Sequence, residues 1–312
     1  MITVLEEKAV DYESTARVAT EAFGSKDVVF SARRIKWLYE QGFGKGSAVL
    51  AVFDDGQKVG QIVLLHQNIY LDGEPVAATQ LIDLFILQAY RSPTLVRRIY
   101  KEVERLCEAL RIRVVVALPN ENSALLNARF MKLKPFLSLR ARAGFGLGWP
   151  RASRIRYSGD LKSMPEKQAI ELLSGFNTPA AENGPHWDAE TLFNRIGDPT
   201  CDYAVHATAD LLLVSSSRKT RGIRYAMLCG FFARDGAAVT SRDTRALIGA
   251  ACRFWKHPIF VYAGVNKNLP NLPGFALPER FRPPILVQLR DFNSEEPNLR
   301  FDRFQLIDSD FV

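Results

Sequence analysis

In residues 1–148 the pattern of apolar and polar positions changes period several times. ITVLEE predicts a short strand; in DYESTARVATEAF, Val18, Ala19 and Ala22 then share one helical face. FSARRIKWLYEQ predicts a second helix with Ser31 at its start, because a serine hydroxyl can accept from a first-turn N–H that has no helical partner. SAVLAVFDDG and QKVGQIVLLHQNIYLDGEPVAATQLIDLFIL return to strand patterning. They are broken at Asp55-Gly56 and Asp72-Gly73, dipeptides that tolerate the positive φ of tight hairpins, so three antiparallel strands are expected. In SPTLVRRIYKEVERLCEAL, Leu95, Ile99, Val103, Leu106 and Leu110 fall on one face, behind an N-cap at Ser92 and a proline at the first helical position. IRVVVALPN is apolar almost to its end, as in a central strand covered on both faces, and a strand, helix, strand unit of this length predicts parallel neighbours.

The same order returns after WPRASRIRYSGDLKSMPEK. DAETLFNRIGDP predicts a helix, and CDYAVHAT, LLLVSSSRK and IRYAMLCGFFAR predict strands turning at Ala209-Asp210 and Thr220-Arg221-Gly222. SRDTRALIGAACRFWK predicts a helix led by Ser241, with Leu247, Ile248, Ala251, Cys252 and Trp255 on one face, before the apolar strand PIFVYAG. The expectation is an α/β (mixed α+β) protein of two domains, 1–148 and 166–312, joined by a linker at 149–165. Each domain would be a mixed sheet flanked by helices, and the shared order points to duplication. Both apolar strands end in Asn-x-Asn, at Asn120 and Asn122 and again at Asn266 and Asn268.

Composition mainly excludes. A length of 312 residues allows two cores. An acidic start and the lack of any long apolar run lead to an expectation of a soluble, cytoplasmic protein that does not enter a membrane. The four cysteines are scattered and His66, His186, His206 and His257 are dispersed, so neither disulfides nor a metal site is expected, and Asp308 and Asp310 read as a solvated tail. A net charge of +7 favours anionic partners, but no aromatic and basic motif points to nucleic acid. Oligomeric state is left open, since tandem halves permit a monomer.

With RIKWLYEQ, VGQIVL, QLIDLFILQAYR and PNENSALLNARFMKLKPF in place, the order of elements resembles the GNAT (N-acetyltransferase) superfamily in tandem, most closely in the first half. The resemblance implies two GNAT-like domains and acyl-CoA as cosubstrate, acetyl-CoA or another, lying between a splayed fourth and fifth strand, with no metal. The pantetheine arm would pass Leu84, Phe85, Ile86 and Leu87. The phosphates would meet the following helix at Arg91, Thr94, Leu95, Val96 and Arg97, with Asn120 and Asn122 beyond the fifth strand. A helix start supports this, because its unpaired N–H groups and partial positive charge attract phosphate. The small residues of the family's phosphate loop are replaced by Thr94 and Val96, and Pro93 removes a donor, so a looser grip is expected. Many members carry a tyrosine acid on the last helix; Phe130 and Met131 stand there.

For a general base, Asp83 interrupts an apolar strand whose alternation would place it with Leu81, Phe85 and Leu87, so its carboxylate should be desolvated; a structural pairing fits the same position. Glu121, at the end of the fifth strand, is a second candidate. Asn120 equally suits a helix cap. Two functions fit these residues: an acyl-CoA-dependent N-acyltransferase, moving acyl groups other than amino-acyl groups to a small-molecule amine, or a catalytically silent tandem fold that binds a metabolite or a partner.

Overall fold

The protein's structure, a computed structural model, describes residues 1–24, 30–146, 154–294 and 299–310. The first half begins with β1 (Ile2–Glu6), α1 (Tyr12–Phe23) and α2 (Ala32–Glu40); the side chains of Asp11 and Ser31 cap the two helices. β2 (Ser47–Asp54) pairs antiparallel with β1 and with β3 (Gln57–Leu71), and β4 (Glu74–Ile86) lies beside β3. Both hairpins turn as expected, with positive φ at Asp55 and Gly56 and at Asp72 and Gly73. In α3 (Pro93–Ala109), Leu95, Ile99, Val103 and Leu106 are buried, together with Tyr100 and Cys107. Leu110 is 43% exposed instead: the helix ends one residue earlier and Leu110, as C-cap, leaves the apolar face. β5 (Val114–Ala117) runs parallel to β4, and α4 (Glu121–Met131) and β6 (Lys134–Leu139) follow.

The second half contains β7 (Ala141–Phe145), β8 (Tyr157–Gly159), α5 (Glu166–Ser174), β9 (Gly184–Pro185), α6 (Ala189–Ile196) and β10 (Tyr203–Ala207). β11 (Leu211–Thr220), β12 (Ile223–Ala233), α7 (Ser241–Phe254) and β13 (Ile259–Asn266) complete a second strand, helix, strand unit, with β12 and β13 parallel. Last come β14 (Phe275–Ala276), β15 (Ile285–Asp291) and β16 (Arg303–Gln305). The N-cap of α7 is Thr240, not Ser241, because Thr240 and Asp243 satisfy each other's backbone N–H in a capping box. Of the expected linker, 149–153 lie outside the described residues, while Tyr157–Gly159 pair with β10.

The chain divides into two compact units, each drawn from separate stretches of sequence: Met1–Asn68, Val76–Leu137 and Leu286–Leu299 form one, and Ile69–Pro75, Ser138–Ile285 and Arg300–Val312 the other. The first sheet has the order β1-β2-β3-β4-β5-β15-β6, with β15 antiparallel to β5, and the second β14-β7-β13-β12-β11-β10-β8, with β16 against β13. The outer end of β3 belongs to the second unit, where Ile69 and Tyr70 pair with β9. In the first unit Leu50, Ile62, Leu64, Ile86 and Val115 pack beneath α3; in the second, Leu213, Leu228, Phe260 and Tyr262 pack beneath α7. Among the described residues no helix is long and apolar enough to cross a membrane.

Asp308 corrects the picture of a solvated tail. It is fully buried, accepts from Trp187 Nε1 at 2.6 Å and pairs with Arg303 at 3.3 Å. Desolvation raises its pKa, against the Arg303 charge that lowers it.

Candidate functional site

In the first unit β4 and β5 are paired only from Ala78–Val114 to Leu81–Ala117. Beyond that, β4 continues to Ile86 with no β5 partner, and β5 gives way to Leu118, Pro119 and Asn120. Asp83 lies in the stretch of β4 that has left β5, with φ of 50°. That left-handed step breaks the expected alternation. Leu81 and Ile86, with Leu84 beside them, face the α3 core, whereas Phe85 packs with Val18 and Ala19 of α1. An αL conformation costs most residues with a Cβ about 1–2 kcal/mol, and aspartate is among the few that adopt it readily as single residues.

Asp83 faces α2. Its Oδ2 accepts from the Tyr39 hydroxyl at 2.6 Å, and that hydroxyl accepts from Gln61 Nε2, also at 2.6 Å. Tyr39 and Gln61 are buried, and Gln61 Oε1 has no hydrogen-bond partner among the described residues. Desolvation pushes the Asp83 carboxyl above its ordinary pKa, while the Tyr39 hydrogen bond and the Arg34 charge oppose the rise. A carboxylate held this way is a stronger base than one in water. Tyr39 also borders a hollow of 680 Å³ lined by Tyr12, Glu6, Glu7, Asp11 and Glu40, with Lys8 among them.

On the α3 face, α3 and α4 border a groove of 740 Å³ lined by Pro93, Thr94, Arg97, Tyr100, Lys101, Glu104, Arg129 and Phe130. Three cations face one acid there. The helix start is partly used by the chain itself: Ser92 Oγ accepts from Leu95 N–H at 3.2 Å, Ser92 O accepts from Val96 N–H at 3.1 Å, and Pro93 has no N–H. Thr94 is the first-turn residue whose N–H these bonds leave open. The side chains of Leu95 and Val96 pack into the core. Arg91 donates to the carbonyls of Ile86 at 2.9 Å and Ala22 at 2.6 Å, tying the end of β4 to α1, and Arg98 donates to the carbonyl of Ile2. Phe130 stacks on Tyr100, whose hydroxyl donates to Asn127 Oδ1 at 2.7 Å.

No family model matches the sequence, and no curated protein matches it. Solved structures do. A probable N-acyltransferase from Enterococcus faecalis V583 superposes with a TM-score of 0.64 at 12% identity, covering 93% of this chain and 73% of that one. N-myristoyltransferase from Saccharomyces cerevisiae, with bound myristoyl-CoA, gives 0.58 at 14% identity over 98% of this chain and 83% of that one. A tandem GNAT protein from the clavulanic acid biosynthesis pathway gives 0.55 at 10% identity over 96% of this chain and the whole of that one. The chain has a tandem GNAT fold.

In this GNAT fold the two Asn-x-Asn endings do different things. Asn120 caps α4, its Oδ1 accepting from Ser123 N–H at 2.9 Å, and Glu121 and Asn122 are exposed in the first turn. Asn266 is buried and donates to Phe231 O at 3.1 Å, with a turn after it and no helix. The structure thus brings together Asp83 and the open stretch of β4, and on the other face Thr94 and Arg97. Leu84 and Ile86 face the core, and Glu121 stands apart on α4. Gln61, Tyr39, Lys101 and Arg129 are not among the candidates read from the sequence. Gln61 was detectable: like Asp83 in LIDLFIL, it interrupts an apolar run, VGQIVLL. Among the described residues no group of three or more His, Cys, Asp or Glu is placed to hold a metal.

Proposed function

We propose that the first unit is an acyl-CoA-dependent N-acyltransferase acting on a small-molecule amine. The observation that carries this reading is the parting of β4 from β5 at a desolvated carboxylate whose φ is left-handed, with a basic groove on the α3 face and an acidic hollow beside Tyr39 on the α1 and α2 face. Acyl-CoA supplies an activated thioester. Arg97, Lys101 and Arg129 would meet its phosphates, the Thr94 N–H would add a donor, and the unpaired edge of β4 from Ile82 to Ile86 would hydrogen-bond the amides of the pantetheine arm. The acidic hollow favours an acceptor that arrives as an ammonium ion. Asp83 takes the proton that the amine must lose, and the Tyr39 hydroxyl, fixed by Gln61, orients its carboxylate. Asn120 keeps its capping role at the far lip of the gap, and Glu121 and Asn122 are left as contacts to the acyl donor.

A second reading, a silent fold that binds a ligand without turning it over, has its own support: Ser92 and Pro93 use up most helix-start donors, and Phe130 offers no acid for the leaving thiolate. A thiol-release assay with acetyl-CoA and longer acyl-CoA esters against a panel of amines separates the two. On the enzyme reading Asp83→Asn keeps acyl-CoA affinity while turnover falls by about 10²-fold or more. Unchanged turnover would remove Asp83 from the chemistry, and acyl-CoA binding with no turnover on any amine would leave the silent reading.

A further inference from the structure

β12 and β13 are apolar on both faces. Ala226, Leu228, Phe260 and Tyr262 pack beneath α7 and are 0–1% exposed. Successive side chains of a strand point to opposite faces, so Tyr225, Met227, Ile259 and Val261 project the other way. Among the described residues no α-helix lines that side, and Leu306 of a short 3-10 turn is part of its border. Instead a cavity of 530 Å³ opens against them, bordered by Leu277, Phe281 and Ile285 of the 277–285 segment. Strands that are apolar on both faces are normally covered on both, and this volume lies in the range of small-molecule sites. The side chains at its edge are unusually open, with Phe281 64% and Ile223 57% exposed.

The polar part of the lining has one sign. Arg221, in the turn between β11 and β12, and Arg282 both line the cavity, no acid does, and neither arginine has an acidic partner among the described residues. Neighbouring Glu279 is held by Arg140 at 2.8 Å, and Arg280 lies over the Phe281 ring. We infer that the second unit binds a single-chain aliphatic carboxylate here, its chain on Met227, Ile259 and Val261 and its headgroup on Arg221 and Arg282. The apolar wall rewards burial of a chain, and guanidinium groups pair with carboxylate through two parallel hydrogen bonds. An ammonium headgroup would meet two like charges.

Titration calorimetry of the full chain with decanoate below its micelle concentration, and with decylamine and decanol as headgroup controls, tests this. The expected result is one decanoate per chain, weaker decanol, no decylamine, and a loss of about tenfold or more in Arg221→Glu/Arg282→Glu, whose sites are exposed and whose fold circular dichroism checks. Ile259→Trp, which fills the cavity, should remove binding whatever the headgroup. Absence of decanoate binding, equal binding of decylamine, or an unchanged affinity in the double-arginine variant would overturn the inference. So would sedimentation showing a dimer that Phe281→Asp dissociates, because a second copy of the chain would then cover this face. The readout is binding in the second unit, independent of acyl transfer in the first.

Discussion

Replacing Tyr39 by phenylalanine removes one oxygen on which two buried groups depend. The hydroxyl donates to Asp83 and accepts from Gln61, each at 2.6 Å. The ring stays, so its edge contact with Tyr12 is kept. Among the described residues Gln61 Oε1 already lacks a partner, and the substitution would strip its Nε2 as well, at a residue that is fully buried. One unsatisfied buried group costs about 1–3 kcal/mol and a lost bond to a charged group a similar amount, so the variant should lose about 2–5 kcal/mol at neutral pH. The loss should depend on pH. Burial raises the Asp83 pKa and the Tyr39 hydrogen bond opposes it. An acid whose folded pKa lies above its unfolded value contributes stability that is complete below the unfolded pKa and is lost as pH rises through the folded one. Removing the hydroxyl moves the folded value higher still, so Tyr39→Phe should be more damaging near pH 7 than near pH 4. Urea unfolding of the wild type, Tyr39→Phe, Asp83→Asn and the double variant at both pH values measures this, and the cycle should show coupling. Equal losses at the two pH values, or strictly additive single variants, would refute a functional hydrogen bond between these side chains.

Two further substitutions test the frame around the site. Lys58 is buried with its Nζ on Glu7 at 2.6 Å and Thr15 at 2.7 Å, so Lys58→Met should cost about 3–5 kcal/mol in urea unfolding, and adding Glu7→Leu should recover most of it. A Cβ on Gly60 would sit 2.7 Å from Phe85 O and 3.1 Å from Ile86 Cα, so Gly60→Ala should displace the open end of β4, lower stability by about 1–3 kcal/mol and weaken acyl-CoA binding in calorimetry.

Local chemistry was legible in the sequence; long-range pairing was not. Asp-Gly turns, the Ser92 and Pro93 start and the continuous apolar strands each act within a few residues, and the structure follows them at Asp55, Asp72, Pro93 and Val114. β15 beside β5 is different, because it joins residues about 170 positions apart through backbone bonds that any apolar strand could make. Asp83 announced itself as a carboxylate in an apolar run, but its left-handed φ did not, since aspartate tolerates that conformation without any sequence mark. The Tyr39 contact depends on how α2 packs on the sheet, so in the sequence Tyr39 reads simply as one more apolar position of a helix. Asp308 misled in the opposite sense: its nearness to the terminus suggested solvent, and Arg303 and Trp187 bury it.

Calorimetric titration of acetyl-CoA into the wild type and Thr94→Glu tests the acyl-CoA site most directly. Binding in the first unit should weaken as salt rises, because on the proposed reading exposed arginine and lysine side chains would meet the phosphates, and a carboxylate at Thr94 should reduce affinity about tenfold or more. Tight binding that Thr94→Glu leaves unchanged would place the site elsewhere, and failure of the wild type to bind any acyl-CoA ester at millimolar concentration would contradict acyl transfer altogether.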